Sequence, residues 1–153
     1  MKNLLLLISL ISLSAKSQAL EPFQLEKIYK LNTLEKKCDF LYEKGFVKES
    51  TNDSQVIKLI KKKFIKRTQD FEIEAVKISS DSVTYLLNNP KSYVKFKQKV
   101  DYYYKEEPKS VNSLDINFKN RNEFIRVREI DSSKENNESA KFYSFTYFQD
   151  PKK

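Results

Sequence analysis

Residues 71–87 read FEIEAVKISSDSVTYLL, and this stretch decides the fold. Apolar and polar residues alternate from Phe71 to Ile78, which is the two-residue period of a half-buried β-strand. Ser79-Ser80-Asp81 is a turn signal, and a second short strand is expected from Val83 to Leu87. Consecutive strands joined by short turns favour an antiparallel sheet.

Toward the N-terminus, residues 55–67 (QVIKLIKKKFIKR) fit two structures. Val56, Ile60 and Phe64 share one face of a strand and also lie near one face of a helix. The β-branched content and the neighbouring strands favour the strand, with the helix as the alternative. A further short strand is expected at Phe46-Val47-Lys48.

An amphipathic helix is predicted from Pro22 to Lys44, because apolar residues recur there at steps of three and four. Gly45 stands where the left-handed residue that ends a helix is wanted. A second amphipathic helix is expected at 91–104, after the helix-starting signal Asn88-Asn89-Pro90. Three more strands are predicted after it, at 113–118, 123–130 and 141–148.

This order predicts an α+β fold, an antiparallel β-sheet of about six to seven strands with two amphipathic helices packed on one side. Residues 20–150 are expected to form a single domain. The layout also allows a tandem helix-plus-strands repeat with halves 20–87 and 88–150. With an offset of 57, Phe46-Val47-Lys48-Glu49 lies over Tyr103-Tyr104-Lys105-Glu106.

Glu43-Lys44-Gly45-Phe46 ends the first helix and is followed by a basic strand, and a second helix rich in Tyr and Lys precedes the closing strands. In this layout the chain resembles small secreted bacterial proteins. A tandem arrangement of helix and sheet is also similar in outline to secreted protein inhibitors of the β-lactamase-inhibitor type. Neither resemblance assigns a role to any one residue.

The first 19 residues have the features of a secretory signal peptide. Lys2 is followed by the ten-residue apolar run LLLLISLISL at 4–13, half the length that a membrane span needs. Small residues fit cleavage after Ala19 or after Ser17. We therefore expect an exported chain, periplasmic or extracellular, with no transmembrane span after cleavage.

Composition excludes many kinds of active site. The chain has no His, so Ser-His-Asp and HExxH centres are absent. Its single Gly leaves no P-loop, dinucleotide-binding turn or nucleophile elbow. The lone Cys38 lies on the apolar stripe of the first predicted helix, where it is expected to be buried. No cofactor or metal is expected.

The most concentrated charge is a basic run within residues 58–67 that contains no acid. Such a run attracts an anionic partner, or it is a solvated strand whose lysines prevent edge-to-edge pairing. Nucleic acid is not favoured, because the chain has only four Arg, the side chain best suited to phosphates and base edges. The candidate contact residues are Lys58, Lys61, Lys62, Lys63, Lys66 and Arg67.

These observations predict an exported, non-catalytic binding protein that acts through a protein partner or an anionic envelope ligand. An inhibitor or immunity-like role against another protein is the sharper form of this hypothesis. The alternative is a secreted hydrolase that uses carboxylates alone. Its candidate pairs are Glu72 with Glu74 and Glu129 with Asp131, because residues two apart on a strand face the same side.

Overall fold

The computed structural model describes residues 19–50, 56–65, 70–107, 115–132 and 140–150. The expected signal peptide therefore lies outside the described residues, apart from Ala19. Within the described residues there are three helices: α1 Pro22–Lys30, α2 Leu34–Glu43 and α3 Pro90–Tyr103. There are also eight strands: β1 Val47–Glu49, β2 Ile57–Ile65, β3 Asp70–Ile78, β4 Ser82–Leu87, β5 Lys105–Glu106, β6 Ile116–Asn120, β7 Glu123–Ser132 and β8 Ala140–Gln149.

All eight strands form one antiparallel sheet in the order β1-β2-β3-β4-β8-β7-β6-β5. The α+β class is thus confirmed, and residues 57–65 form a strand rather than a helix. The number of strands is higher than expected. The additional strand, β5, is only two residues long, too short for its alternation to be visible in the sequence.

The helices cover one face of the sheet. Every second residue of the central strands points toward them, and these residues are buried together with the apolar stripes of the helices. Phe96 of α3 lies at the centre, with its ring centroid 5.2 Å from that of Tyr85 and 4.4 Å from that of Phe145. Cys38 is buried in the same core, as expected, and desolvation raises the pKa of its thiol. None of the described helices is long and apolar enough to span a membrane.

The single helix predicted from Pro22 to Lys44 is wrong, because the chain breaks at Leu31 and begins a new helix at Leu34. Thr33 caps this helix by accepting a hydrogen bond from the backbone N–H of Lys36. The apolar residues on both sides of the break keep a helical spacing, so their period does not reveal it. The structure accordingly has three helices where two were expected.

The sheet has an internal two-fold symmetry about the pairing of β4 with β8. Leu59, Val76 and Tyr85 lie side by side on β2, β3 and β4, and the equivalent row on β6, β7 and β8 is Phe118, Ile125 and Tyr147. All six are buried facing the helices. The two halves therefore follow each other in tandem along the chain, and each consists of a helical segment followed by four strands.

The predicted offset between the halves is wrong by one residue. Phe46, which is buried just before β1, corresponds to the buried Tyr104 just before β5, whereas Tyr103 is exposed at the end of α3. The offset here is thus 58 rather than 57. An offset of 57 aligns identical residue types. It is misleading because equivalent positions are those that are buried alike in the two halves, whether or not their residue types are identical.

Candidate functional site

The second face of the sheet carries none of the described helices, and we call it the open face. Its side chains are those that alternate with the core residues along each strand. At its centre the hydroxyls of Thr84 and Thr146 are 3.0 Å apart across the β4–β8 pairing, where the internal symmetry axis passes. The open face is where an eight-stranded sheet remains available to a ligand.

A concavity of about 340 Å³ lies on this face over β2, β3 and β4 and extends to β8 and β7. We call it the hollow. Side chains from five strands, β2, β3, β4, β7 and β8, form its apolar lining, and Ile130 is 37% exposed there. The apolar residues that line the hollow are Ile60, Ile73, Ala75, Leu86, Ile130 and Phe142.

Within the described residues, the row of side chains at the centre of the hollow differs from the equivalent row on the second half of the sheet. On the first half Ile60, Ala75 and Leu86 lie side by side on β2, β3 and β4. The equivalent row on β6, β7 and β8 is Lys119, Phe124 and Phe148, whose two rings stack with centroids 5.3 Å apart. A methyl group thus takes the place of a phenyl ring at position 75. The space left above that methyl group belongs to the hollow.

Three lysines and one carboxylate surround the hollow, giving its rim a net charge of +2. Lys58 forms an ion pair with Glu49, with a distance of 2.5 Å between the charged groups. Lys62 and Lys77 form no ion pair with any of the described residues. Lys77 also lies directly opposite Lys58 in the β2–β3 register, an unfavourable arrangement of like charges.

Removing this repulsion should stabilise the protein. We expect Lys77→Thr to raise the free energy of unfolding by about 0.5 kcal/mol, because like charges directly opposite on a sheet are destabilising and Thr favours strands. Urea denaturation of Lys77→Thr, Lys58→Thr and the double variant completes a double-mutant cycle. Lys77→Thr should stabilise less when Lys58 is already Thr; an equal gain in both backgrounds would show that the two charges do not interact.

On the second half of the open face, Lys119, Arg126 and Arg128 each contact a carboxylate or an aromatic ring. Arg128 donates two hydrogen bonds to Asp115, of 2.6 and 2.7 Å, and these lower the pKa of that carboxyl group. Arg126 lies 3.6 Å from the same carboxylate, with its guanidinium 5.1 Å from the centroid of the Phe148 ring. Lys119 similarly lies over Phe124. Among the described residues, the uncovered apolar surface and the lysines without an ion pair therefore coincide at the hollow.

The structure divides the basic run that the sequence singled out. Lys58 and Lys62 face the hollow, whereas Lys61 and Lys63 point to the helix side of the sheet. Lys61 is held 3.2 Å from Glu74, with its ammonium 4.9 Å from the centroid of the Phe46 ring. Two further candidates, Lys66 and Arg67, lie outside the described residues.

Glu72 and Glu74, the first carboxylate pair, point to the helix side rather than to the hollow. Glu74 accepts a hydrogen bond of 2.5 Å from the Tyr85 hydroxyl, and Glu72 accepts one of 2.9 Å from Ser92 at the start of α3. Desolvation, together with the neighbouring Glu74 carboxylate, raises the pKa of Tyr85 far above its usual range. The first of these hydrogen bonds joins β4 to β3, and the second joins α3 to β3.

Of the second pair, Glu129 is 2.6 Å from Lys141 on the neighbouring strand, and nothing is described of the Asp131 side chain. Within the described ranges no three His, Cys, Asp or Glu side chains are arranged to share a metal ion. Among the candidates whose side chains the structure describes, Lys58 and Lys62 reach the hollow.

Sequence reasoning missed Lys77, Ala75 and Phe142. Lys77 is an isolated lysine in an alternating strand, and nothing local distinguishes it from other lysines. Ala75 becomes notable only beside Phe124, and this comparison requires the strand register. No protein family, curated protein or solved structure matches this chain, so the geometry of the open face carries the functional argument.

Proposed function

We propose that this chain is an exported, non-catalytic binding protein whose open face receives a protein partner. The observation that carries the proposal is the hollow, an apolar concavity on a sheet face free of the described helices. Exposed apolar patches rimmed by polar residues mark interaction sites, because leaving such a surface in water is unfavourable. Export is proposed from the signal peptide features of residues 1–19.

A protein partner accounts for more of this surface than an anionic envelope polymer does. A polyanion needs only the lysines, and its binding energy comes mainly from charge and counterion release. It gains little from the six apolar residues, which are more than half of the residues that line the hollow. Protein interfaces, in contrast, join an apolar centre to a polar rim.

Site-specific photo-crosslinking tests this proposal on the chain as its host produces it. A photoreactive phenylalanine derivative in place of Phe142 places the reactive group in the hollow. The same derivative in place of Tyr102, which is 81% exposed on α3, serves as the matched control on the helix side. We expect a crosslinked protein from position 142 that position 102 does not capture.

Ala75→Phe provides the blocking variant. It places at position 75 the ring that Phe124 supplies at the equivalent position of the second half. Filling the hollow should remove the crosslink at position 142 while the circular dichroism spectrum and melting temperature stay close to those of the parent chain. A crosslink that persists in folded Ala75→Phe protein would overturn the assignment of the hollow as the binding site.

Ionic strength separates the two classes of ligand. An interface centred on apolar side chains should retain most of its crosslinking yield at high salt, since salt screens charges but strengthens apolar association. A lysine-driven contact with a polyanion should weaken steeply under the same conditions. Loss of all capture at high salt would therefore favour the anionic envelope ligand over the protein partner.

A further inference from the structure

The hollow has the size and shape to accept a side chain. Its floor is lined by Ala75, and its walls are Ile60, Leu86, Ile130 and Phe142. Because the equivalent position on the second half is filled by the ring of Phe124, the missing volume corresponds to about one large side chain. An aliphatic or aromatic side chain of another molecule would therefore fill the space that the ring of Phe124 fills on the second half.

The rim of the hollow specifies what should surround that side chain. Lys62 and Lys77 have no ion pair within the described part of the chain, and Lys77 faces Lys58 directly. A carboxylate placed between these lysines would relieve the repulsion and form charge-assisted hydrogen bonds. On the second half, the chain itself provides such a carboxylate, because Asp115 lies between Arg126 and Arg128.

From this complementarity we infer that the occupant of the hollow is a segment of a partner protein in which one aliphatic or aromatic side chain is flanked by Asp or Glu. The apolar side chain fills the space above Ala75, and the flanking carboxylates meet Lys62 and Lys77. This inference rests on the proposed function and specifies the partner's chemistry. Complementary charge orients such a segment, while burial of its apolar side chain supplies the affinity.

Selection from a random peptide library displayed on phage tests the inference with the purified chain. The enriched peptides should carry an aromatic or aliphatic residue next to acidic ones. Binding of synthetic versions should fall by about tenfold or more in Ala75→Phe, and also in the double variant Lys62→Glu/Lys77→Glu. Lys95→Glu/Lys99→Glu on α3 makes the same change of charge on the helix side, and it should leave binding unaltered.

The outcomes distinguish the inference from the proposed function. Peptides that lose affinity in Ala75→Phe but show no acidic preference and ignore the lysine variant would overturn the inference alone. Peptides insensitive to Ala75→Phe would place binding elsewhere, against the proposed function as well. If poly-glutamate binds as tightly as the selected peptides, with sensitivity to the lysine variant but not to Ala75→Phe, an anionic polymer is the ligand and the inference is wrong.

Discussion

Phe145→Ala is expected to lower the free energy of unfolding by about 3–5 kcal/mol, since a fully buried ring is removed and its cavity cannot collapse. Phe145 is 0% exposed in the middle of β8. It lies opposite Tyr85 on one side and Val127 on the other, so its ring joins the two halves of the core. Urea denaturation followed by circular dichroism measures the change.

Phe142→Ala is the matched control, the same substitution three residues earlier on the same strand. Phe142 lies on the open face at the hollow, where water already reaches it. Its removal should therefore cost clearly less stability than removal of Phe145. Equal losses would contradict the assignment of the two rings to opposite faces. If Phe145→Ala is already unfolded without urea, Phe145→Leu replaces it in the comparison. Leu leaves a smaller cavity, so the loss in free energy of unfolding remains measurable.

Alkaline pH should unfold the protein, because three buried tyrosines resist losing their protons. An unfolded tyrosine titrates near pH 10. Burial is the main cause of the higher values in the folded chain: it raises the pKa of Tyr104 to about 12 and holds the pKa of Tyr85 and Tyr147 well above the usual range. Above pH 10 the unfolded state therefore binds fewer protons than the folded state, and the free energy of unfolding falls as pH rises.

The expected slope is about 1.4 kcal/mol per pH unit for each such tyrosine, or up to about 4 kcal/mol per pH unit for the three together. Typical domains are stable by only about 5–15 kcal/mol, so a slope of this size removes that stability within about one to four pH units above pH 10. Below pH 10 both states keep their protons and these phenols cause no pH dependence. Denaturation midpoints measured at several alkaline pH values give the slope.

Tyr147→Phe isolates one of the three contributions. Within the described part of the chain, its hydroxyl accepts one long hydrogen bond of 3.5 Å, from Gln149, so removing it should change stability at neutral pH little. Above pH 10, the free energy of unfolding should therefore fall less steeply with pH, by about the contribution of one tyrosine. An unchanged slope in this variant would show that Tyr147 titrates alike in the folded and unfolded states.

The element order could be predicted because it depends on local patterns. Residues 71–87 alternate with the period of a strand, and Asn89 and Pro90 begin α3 as their residue types suggest. Asn89 accepts hydrogen bonds from the backbone N–H groups of Lys91 and Ser92, the expected capping arrangement. The break at Thr33 was not predicted, because the apolar residues keep a helical period across it although Thr33 caps a new helix.

The candidate site could be predicted only in part. The basic run was visible as a concentration of charge, but a strand sends alternate residues to opposite faces. Lys58 and Lys62 thus reach the hollow, while Lys61 is committed to Glu74 on the other side. The residues that join this pair at the hollow, Lys77 and Phe142, lie on β3 and β8, which folding brings to the same face of the sheet.

The sequence by itself determined the structural class of this protein, because the periods of its apolar residues specify helices and antiparallel strands. Its lack of His and its single Gly also exclude the familiar catalytic centres that need these residues. The tertiary structure alone decided which surface is open. Cross-strand register brings Ala75, Leu86 and Phe142 together across three strands, and it places Ala75 where the symmetric half has Phe124. Register depends on pairing between distant segments, so no local pattern of residues could reveal the hollow.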